Sequence, residues 1–494
     1  MPTSPSTRLP LRQYLAVDGG AGAHVFALLP TAAPGLRAVA TPRHADLLIV
    51  AGPISARLAP SIAELARALP EPAQALLLLP EISDSEALQQ LFPGALTSTL
   101  RSGDEGGDIL RVVEAIRGLG APTKALTLGD AHDYEPPLIP MPGANEHEMA
   151  TELIAFSLGP LQPFTAGPLR LWLICDGEQA LDCRVDAGYA ARDLAGRMAA
   201  TDWRAAADLA AWLDPLAPVA GRLAYVRAVE SLQGWIAPAP VERAREAALA
   251  LERALNHLHW VTRFFRLLAA PRLAEQAADL AWRARALAGG ASSAAALAAT
   301  TPQGGVWAQP PHAAEARQAL AGQVERLARW VRHDRLLGLR THGIGALPPA
   351  WFAEVALDSP TAAASAAGAN DCHARLLARL TQAAADLRQS VGDAMPPQSG
   401  IIQREPVRAA QAEARGGRWE VPAGMAGGEA LGPRGRLAVR LTSAGGAGPT
   451  RVAWTSRPSA QSLALLPRLL ERQIVADAEI IVASLDLSMA EADG

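Results

Sequence analysis

Short apolar runs alternate with helix-patterned stretches over the first quarter of this chain, and that alternation admits few folds. Leu47 to Val50 is followed by a helical pattern from Arg57 to Leu69, then by Ala75 to Leu79, then by a second helical pattern from Ile109 to Ile116. Continuous apolar runs of this length suit strands buried on both faces, and strands separated by helices imply a parallel sheet.

The pattern changes after Gly120. The stretch from Pro122 to Gly143 carries Pro136, Pro137, Pro140 and Pro142 and reads as a linker or extended arm, so a boundary falls there. Leu169 to Ile174 and Leu181 to Val185 flank Asp176 and Gly177, a dipeptide that supplies the positive φ of a tight turn, giving a two-stranded hairpin. Ala244, Ala248, Leu251, Leu255 and Leu258 recur at spacings of three and four, as do Leu320, Val324, Leu327 and Val331, and later Leu376 and Leu380. These spacings predict a helical bundle in the centre of the chain. Leu287 to Pro310 and Gln398 to Pro433 read as loops. A second hairpin is expected from Arg436 to Thr442 and Arg451 to Thr455, and a mostly helical segment from Ser462 to Ile474, with Pro467 tolerable only near a first turn.

Composition removes several function classes. The 494 residues hold 45 basic and 49 acidic side chains for a net charge of −4, with no basic block to displace counterions from a nucleic acid. No stretch approaches the roughly 18 apolar residues of a spanning helix. Met1 to Arg12 is rich in Pro, Ser and Thr without an apolar core, so the expected location is cytoplasmic, at most docked on a membrane. Cys175, Cys183 and Cys372 are the only cysteines and form no short metal-ligand spacing; buried or unreactive thiols are expected.

Thr41 to Ile54, followed by Ala59-Pro60 and Leu69 to Pro72, closely resembles the cluster-carrying small subunit of respiratory complex I and of membrane-bound nickel–iron hydrogenases. The resemblance implies a flavodoxin-like α/β domain over residues 1–121. The family holds its cluster by cysteines in three places. Here these read Asp18 to His24, including Gly19, Gly20, Ala21, Gly22 and Ala23; then Pro80 to Asp84; then Ser102 to Asp104. None contains a cysteine, and neither Asp18 nor His24 replaces four thiolates, so no iron–sulfur cluster is expected. Gly19 to Gly22 could also be proposed as a phosphate loop. It lacks the spacing of either glycine-rich phosphate motif, and a former cluster loop explains it better.

From Asn145 onward the chain resembles the large subunit of the same assemblies. Matching segments fall in family order: Gly159 to Gly167 with Asp176 to Glu178, Gly188 to Arg192, Leu223 to Glu230, Leu251 to His257, Leu339 to Leu347, Asn370 to Arg375 with Arg379, Ile474 to Asp477 and Ala483 to Asp486. The implied architecture is a mainly helical large-subunit-like domain over residues 145–494, joined by a linker over 122–144 and carrying small β sheets near its start and end.

The family's chemistry is missing here too. Hydrogenase active sites use two paired-cysteine motifs; Leu213 to Pro218 matches the first without a cysteine, and no second is present, so no nickel site is expected. In complex I the first hairpin carries two histidines, and a tyrosine stands beside the quinone head. The corresponding positions here are Gln162, Ala166 and Pro215. Loss of imidazole and phenol removes the groups that would hydrogen-bond and protonate a reduced quinone. Tyr225 stays at its family position and is expected in the core with its hydroxyl satisfied.

Other constellations have plain readings. Glu146, His147 and Glu148 diverge on one helical turn and fit helix N-terminal charge. His257 and His259 cannot share a helix face. Asn256 and His257 suit a satisfied core polar network. Asp371, Arg375 and Arg379 could pair at i,i+4, as a packing ion pair or at a subunit interface. Cys372 and His373 lack an orienting pattern for catalysis.

Retained scaffold with deleted ligands points to a subunit without catalytic residues, metal or cofactor of its own. The expected role is a redox-silent peripheral arm of a complex I or hydrogenase-4-like assembly, on the inner face of the cell membrane, with antiporter-like membrane subunits and a quinone pocket as the candidate partners. Two other readings stay open: an NADH-quinone or hydrogenase-type electron-transfer subunit using cofactors of other subunits, and a soluble hydrogenase-maturation-like protein.

Overall fold

A computed structural model describes residues 12–81, 86–102, 104–120, 122–124, 126–129, 153–287, 313–354, 370–389 and 421–494. Five parallel strands open the chain: β1 (Arg12–Asp18), β2 (Leu36–Ala38), β3 (Leu47–Ala51), β4 (Gln74–Pro80) and β5 (Leu96–Leu100), in the order β2-β1-β3-β4-β5. Every residue of β3 is buried, as its unbroken apolar run requires when both sheet faces are covered. Leu47 and Ile49 face one layer with α1 (Ala23–Ala32) and α4 (Glu105–Gly118), whereas Leu48 and Val50 face the other with α2 (Ala59–Arg67) and α3 (Glu86–Leu91).

The layer holding α1 continues without a break into a helical bundle. Val25 and Leu28 of α1 share a core with Phe264 of α8 (Ala239–Leu267) and Leu280 of α9 (Pro271–Ala286). Arg266 of α8 donates to the carbonyls of Phe26 and Ala27 at 3.0 and 2.8 Å. The bundle is completed by α10 (Ala313–His333) and α13 (Cys372–Gln389), with the short α11 (Arg335–Thr341) and α12 (Pro349–Glu354) between them. The apolar spacings in the sequence thus mark true helices.

Two antiparallel sheets accompany the bundle. The first is three-stranded, β6 (Ile154–Leu158), β7 (Arg170–Asp176) and β8 (Gln179–Asp186), where the sequence suggested a two-stranded hairpin. Gly177, at φ +56, makes the expected β7–β8 turn. β6 is separated from β7 by eleven residues that begin with Gly159-Pro160 and include Gly167-Pro168, too long a connection to read as a tight hairpin turn.

The second sheet, in the order β11-β10-β9, overturns part of a predicted loop. β9 (Gly424–Leu431) lies inside the Gly-rich stretch read as irregular, beside β10 (Arg436–Ser443) and β11 (Arg451–Ser456). Its glycines serve close approach to a helix: a Cβ on Gly428 would stand 2.2 Å from the Ala224 carbonyl oxygen and 2.3 Å from the Ala228 nitrogen of α7 (Pro218–Gln233). Gly428→Ala is therefore expected to push β9 off α7 and cost about 1–3 kcal/mol, visible as a lower urea midpoint.

The expected helix from Ser462 to Ile474 is broken. α14 (Pro458–Leu463) and α15 (Leu466–Leu470) are separate short helices, with Pro467 in the first turn of the second. The chain then runs along β8: Gln179 bridges Ile474, and the Val475 amide donates to the Glu178 carbonyl at 2.9 Å. Pairing with a sheet edge takes backbone groups that a continuing helix would use. The chain ends in α16 (Ala478–Ser484) and α17 (Met489–Asp493). No described helix is long and apolar enough to cross a membrane. Most of the predicted Pro122–Gly143 linker, nearly all of the Leu287–Pro310 loop, and Glu146, His147 and Glu148 lie outside the described residues.

Candidate functional site

The glycine-rich turn after β1 meets the β6–β7 connection and the segment before α17 at a closed, small-residue junction. Asp18 turns its carboxylate back on the loop and accepts from the amides of Gly20 and Gly22 at 2.8 and 2.9 Å, while the Gly19 amide donates to the Ala51 carbonyl at 2.7 Å. Three donors that a phosphate would need are thus taken, which removes the phosphate-loop reading. A Cβ on Gly19 would lie 2.6 Å from the carbonyl oxygens of Ala51 and Pro53, and one on Gly22 would lie 2.4 Å from the Ala51 Cβ. The backbone is pressed onto the end of β3, and a side chain at either position needs the loop to move.

The same junction receives Ala166 and Pro215. Ala166 packs with Ala23 and Leu216. Its amide donates to the Leu487 carbonyl at 3.0 Å, and its carbonyl accepts from the Met489 amide at 2.8 Å. A Cβ on Gly167, at φ +94, would come within 3.1 Å of the Gly20 Cα. Pro215 is buried between Asp214 and Leu216, but Gln162 is exposed on the connection from β6. The structure therefore brings Gly20, Ala23, Ala166 and the Pro215 turn together and leaves Gln162 outside.

Beneath this apolar lid lies a buried ionic cluster. Arg434, in the β9–β10 turn, pairs with Asp214 and donates from Nε to the Asp486 carbonyl at 2.7 Å. Arg379 and Arg263 approach the Asp486 carboxylate at 3.7 and 3.5 Å. The Ser488 hydroxyl donates to Asp214 at 2.9 Å, the Ser459 amide donates to Glu491 at 2.7 Å, and Glu491 stands 4.0 Å from Arg434. Burial and then the Asp214 charge push the Glu491 carboxyl up to about 7, against Arg434 and the Ser459 amide. Burial lowers Arg379 to about 10, with Asp486 opposing the shift. Arg434 is raised: burial pulls it down, but the carboxylates of Asp214, Asp486, Glu491 and Glu252 together outweigh that. Asp486 stood in a motif visible in the sequence. Arg434 and Glu491 did not, because Arg434 falls between the stretch read as a loop and the expected strand, and contacts across more than 200 residues leave no local pattern.

Glu491 gives a pH test. Its raised value means the stabilisation is full below the ordinary glutamate range and is lost as pH rises through about 7. Glu491→Gln should leave stability at pH 5 little changed and remove this loss at pH 8, a relative gain of about 3 kcal/mol at alkaline pH. Denaturant midpoints of the two proteins at both pH values check it.

Several other candidates behave differently from expectation. Asp371 does not pair with Arg375. It accepts from the Ala374 and Gly343 amides, each at 2.8 Å, and these bonds hold its carboxyl low against burial. Arg375 instead turns into the core and donates to Ser484, Asn370 and the Gly345 carbonyl. Asn256 donates to the Leu216 carbonyl at 3.1 Å, but neither ring nitrogen of buried His257 nor the Tyr225 hydroxyl finds a partner among the described residues. The polar network expected there is thus only half formed. Burial, reinforced by Arg379, Arg253 and Arg434, drives the His257 value well down, so the ring is neutral. His373 meets Thr341 at 2.9 Å and makes no pair with Cys372.

The donor set does not fit the family's metal centres. All three cysteines are buried, on β7, β8 and α13 and not in the β1–α1 turn itself, and burial pushes the Cys183 thiol up to about 12. Among the described residues no group of three or more His, Cys, Asp or Glu side chains could hold a metal ion. A quinone head at the junction would meet Ala166, Ala23 and Leu216, none of which carries a donating side chain.

Residues 371–494 match the family model for the 49 Kd subunit of respiratory-chain NADH dehydrogenase. A D-type subunit of NADH-quinone oxidoreductase from Roseiflexus sp. (strain RS-1) is 27% identical over 400 residues, covering 69% of this chain and 93% of that protein. Its counterpart from Roseiflexus castenholzii is 28% identical over 404 residues, covering 70% and 94%. A chain of the membrane-bound sulfane sulfur reductase, an archaeal respiratory membrane complex, superposes with a TM-score of 0.58 at 21% identity, covering 69% of this chain and 98% of that one. The large-subunit part of the chain therefore has the complex I 49 kDa-type fold.

Proposed function

We propose that this chain is a redox-silent peripheral-arm subunit of a complex I or hydrogenase-4-like membrane assembly. It docks on antiporter-like membrane subunits at the inner face of the cell membrane and either couples to their ion movement or caps them. The observation that carries this reading is the β1–α1 turn, where Asp18 and the β3 end occupy the amides and the space of Gly19 to Gly22. Relatives named as subunits of NADH-quinone oxidoreductase and of a respiratory membrane complex support membership of such an assembly. The strand order β2-β1-β3-β4-β5, all parallel, supports a flavodoxin-like domain of the small-subunit type over residues 1–121, fused through 122–144 to the large-subunit-like domain over 145–494. In this reading Gln162, Ala166 and Pro215 are the degenerate quinone-pocket positions.

The names of the relatives also favour a second reading, an NADH-quinone oxidoreductase subunit that works with cofactors held by other chains. Purification of the native assembly from membranes, with its subunits identified by mass spectrometry, separates the two. Antiporter-like partners without a cysteine-bearing small subunit are expected. A separate cluster-carrying small subunit would favour electron transfer, and recovery of the chain alone from the soluble fraction would overturn both.

A further inference from the structure

The end of α10 and one side of α11 present an exposed stripe of arginines and large apolar side chains, while Leu337, Gly338 and Thr341 of α11 are buried. Between positions 326 and 342 the sequence places five arginines against one acid, Asp334. Asp334 is engaged as the N-cap of α11, accepting from the Leu337 amide at 2.8 Å. Among the described residues no carboxylate pairs with Arg332 or Arg335. Large apolar side chains stand exposed among these charges: Trp330 at 50%, Leu336 at 75% and Leu339 at 72%. Exposed Trp and Leu set among arginines is the composition of a binding surface rather than of solvated helix.

The stripe is also shaped. Arg332, His333, Arg335, Leu339 and His342 line an open cleft of about 390 Å³ together with Asp334, whose carboxylate already accepts from the Leu337 amide. One wall is held by the His342 ring lying 3.9 Å, centroid to centroid, from the buried His373 ring, and the absent side chain of Gly338 gives His342 that place. A cleft with cationic walls and a leucine rim fits a protruding carboxylate side chain beside an apolar residue. Paired arginines supply bidentate donors for the carboxylate. A bilayer surface needs no cleft, and a second copy of this face would bring arginines against arginines.

We propose that this face docks an acidic protein segment, carrying an apolar residue among its carboxylates, from another subunit of the assembly. The inference rests on the reading of the chain as an assembly subunit. A photo-reactive benzoylphenylalanine in place of Leu336, in the full chain within its native assembly, should cross-link to a peptide of another subunit rich in Asp or Glu. Arg332→Glu with Arg335→Glu should cut recovery of that subunit by roughly tenfold without shifting the melting temperature of this chain, since both side chains are exposed, and Arg332→Lys with Arg335→Lys, which keeps the charge but loses the bidentate fork, should cut it by less, roughly threefold. Adducts to phospholipid or to a second copy, no adduct, or undiminished recovery would overturn the docking surface while leaving the assembly role standing. Purification of the chain without any partner would instead overturn the assembly role itself.

Discussion

Arg434→Ala is expected to cost about 3–5 kcal/mol, because it leaves Asp214, Asp486 and Glu491 buried around a missing cation. Desolvated carboxylates cannot be rehydrated there: Asp214 and Asp486 are 0% and 2% exposed. Combining Arg434→Met with Asp214→Asn should recover part of the loss, since it removes one charge from each side of the pair. Chemical denaturation of the single and double variants measures this. A single variant as stable as the parent would show that the cluster is not held by Arg434.

The second large effect concerns the loop itself. Gly22→Cys places a thiol in the turn that the proposed small-subunit reading treats as a former cluster loop, yet its Cβ would stand 2.4 Å from the Ala51 Cβ and 2.8 Å from the Phe26 ring. The backbone of β3 cannot retreat, being buried and bonded on both edges. We expect a loss of about 2–3 kcal/mol, in the upper range for overpacking, and no gain of bound iron after anaerobic reconstitution. A stable variant that takes up iron would show that the loop still has the geometry of a cluster site.

Much of the scaffold was legible because its signals are local. The apolar runs at Leu47 and Ala75 and the spacings from Ala244 to Leu258 each report burial of the segment that contains them, and each is a strand or helix in the structure. β9 was missed because glycine in a strand looks like a loop unless the helix pressing on it is known. At the junction, the cysteine-free turn could be read directly, but its closure by Asp18 depends on a carboxylate folding back over two to four residues, which no spacing announces. The exposure of Gln162 beside the burial of Ala166 had no sequence signal, since two positions in one loop gave no hint of facing opposite ways. Arg434 joins segments more than 200 residues apart, and only tertiary structure brings them together.

Redox silence is tested most directly by iron and acid-labile sulfide analysis of the anaerobically purified native assembly, with metal assigned to individual chains. No iron or nickel on this chain is predicted, since Cys175, Cys183 and Cys372 belong to β7, β8 and α13 rather than to the β1–α1 turn and that turn has no room for new ligands. Stoichiometric iron and sulfide assigned to this chain would contradict the account and restore an electron-transfer role.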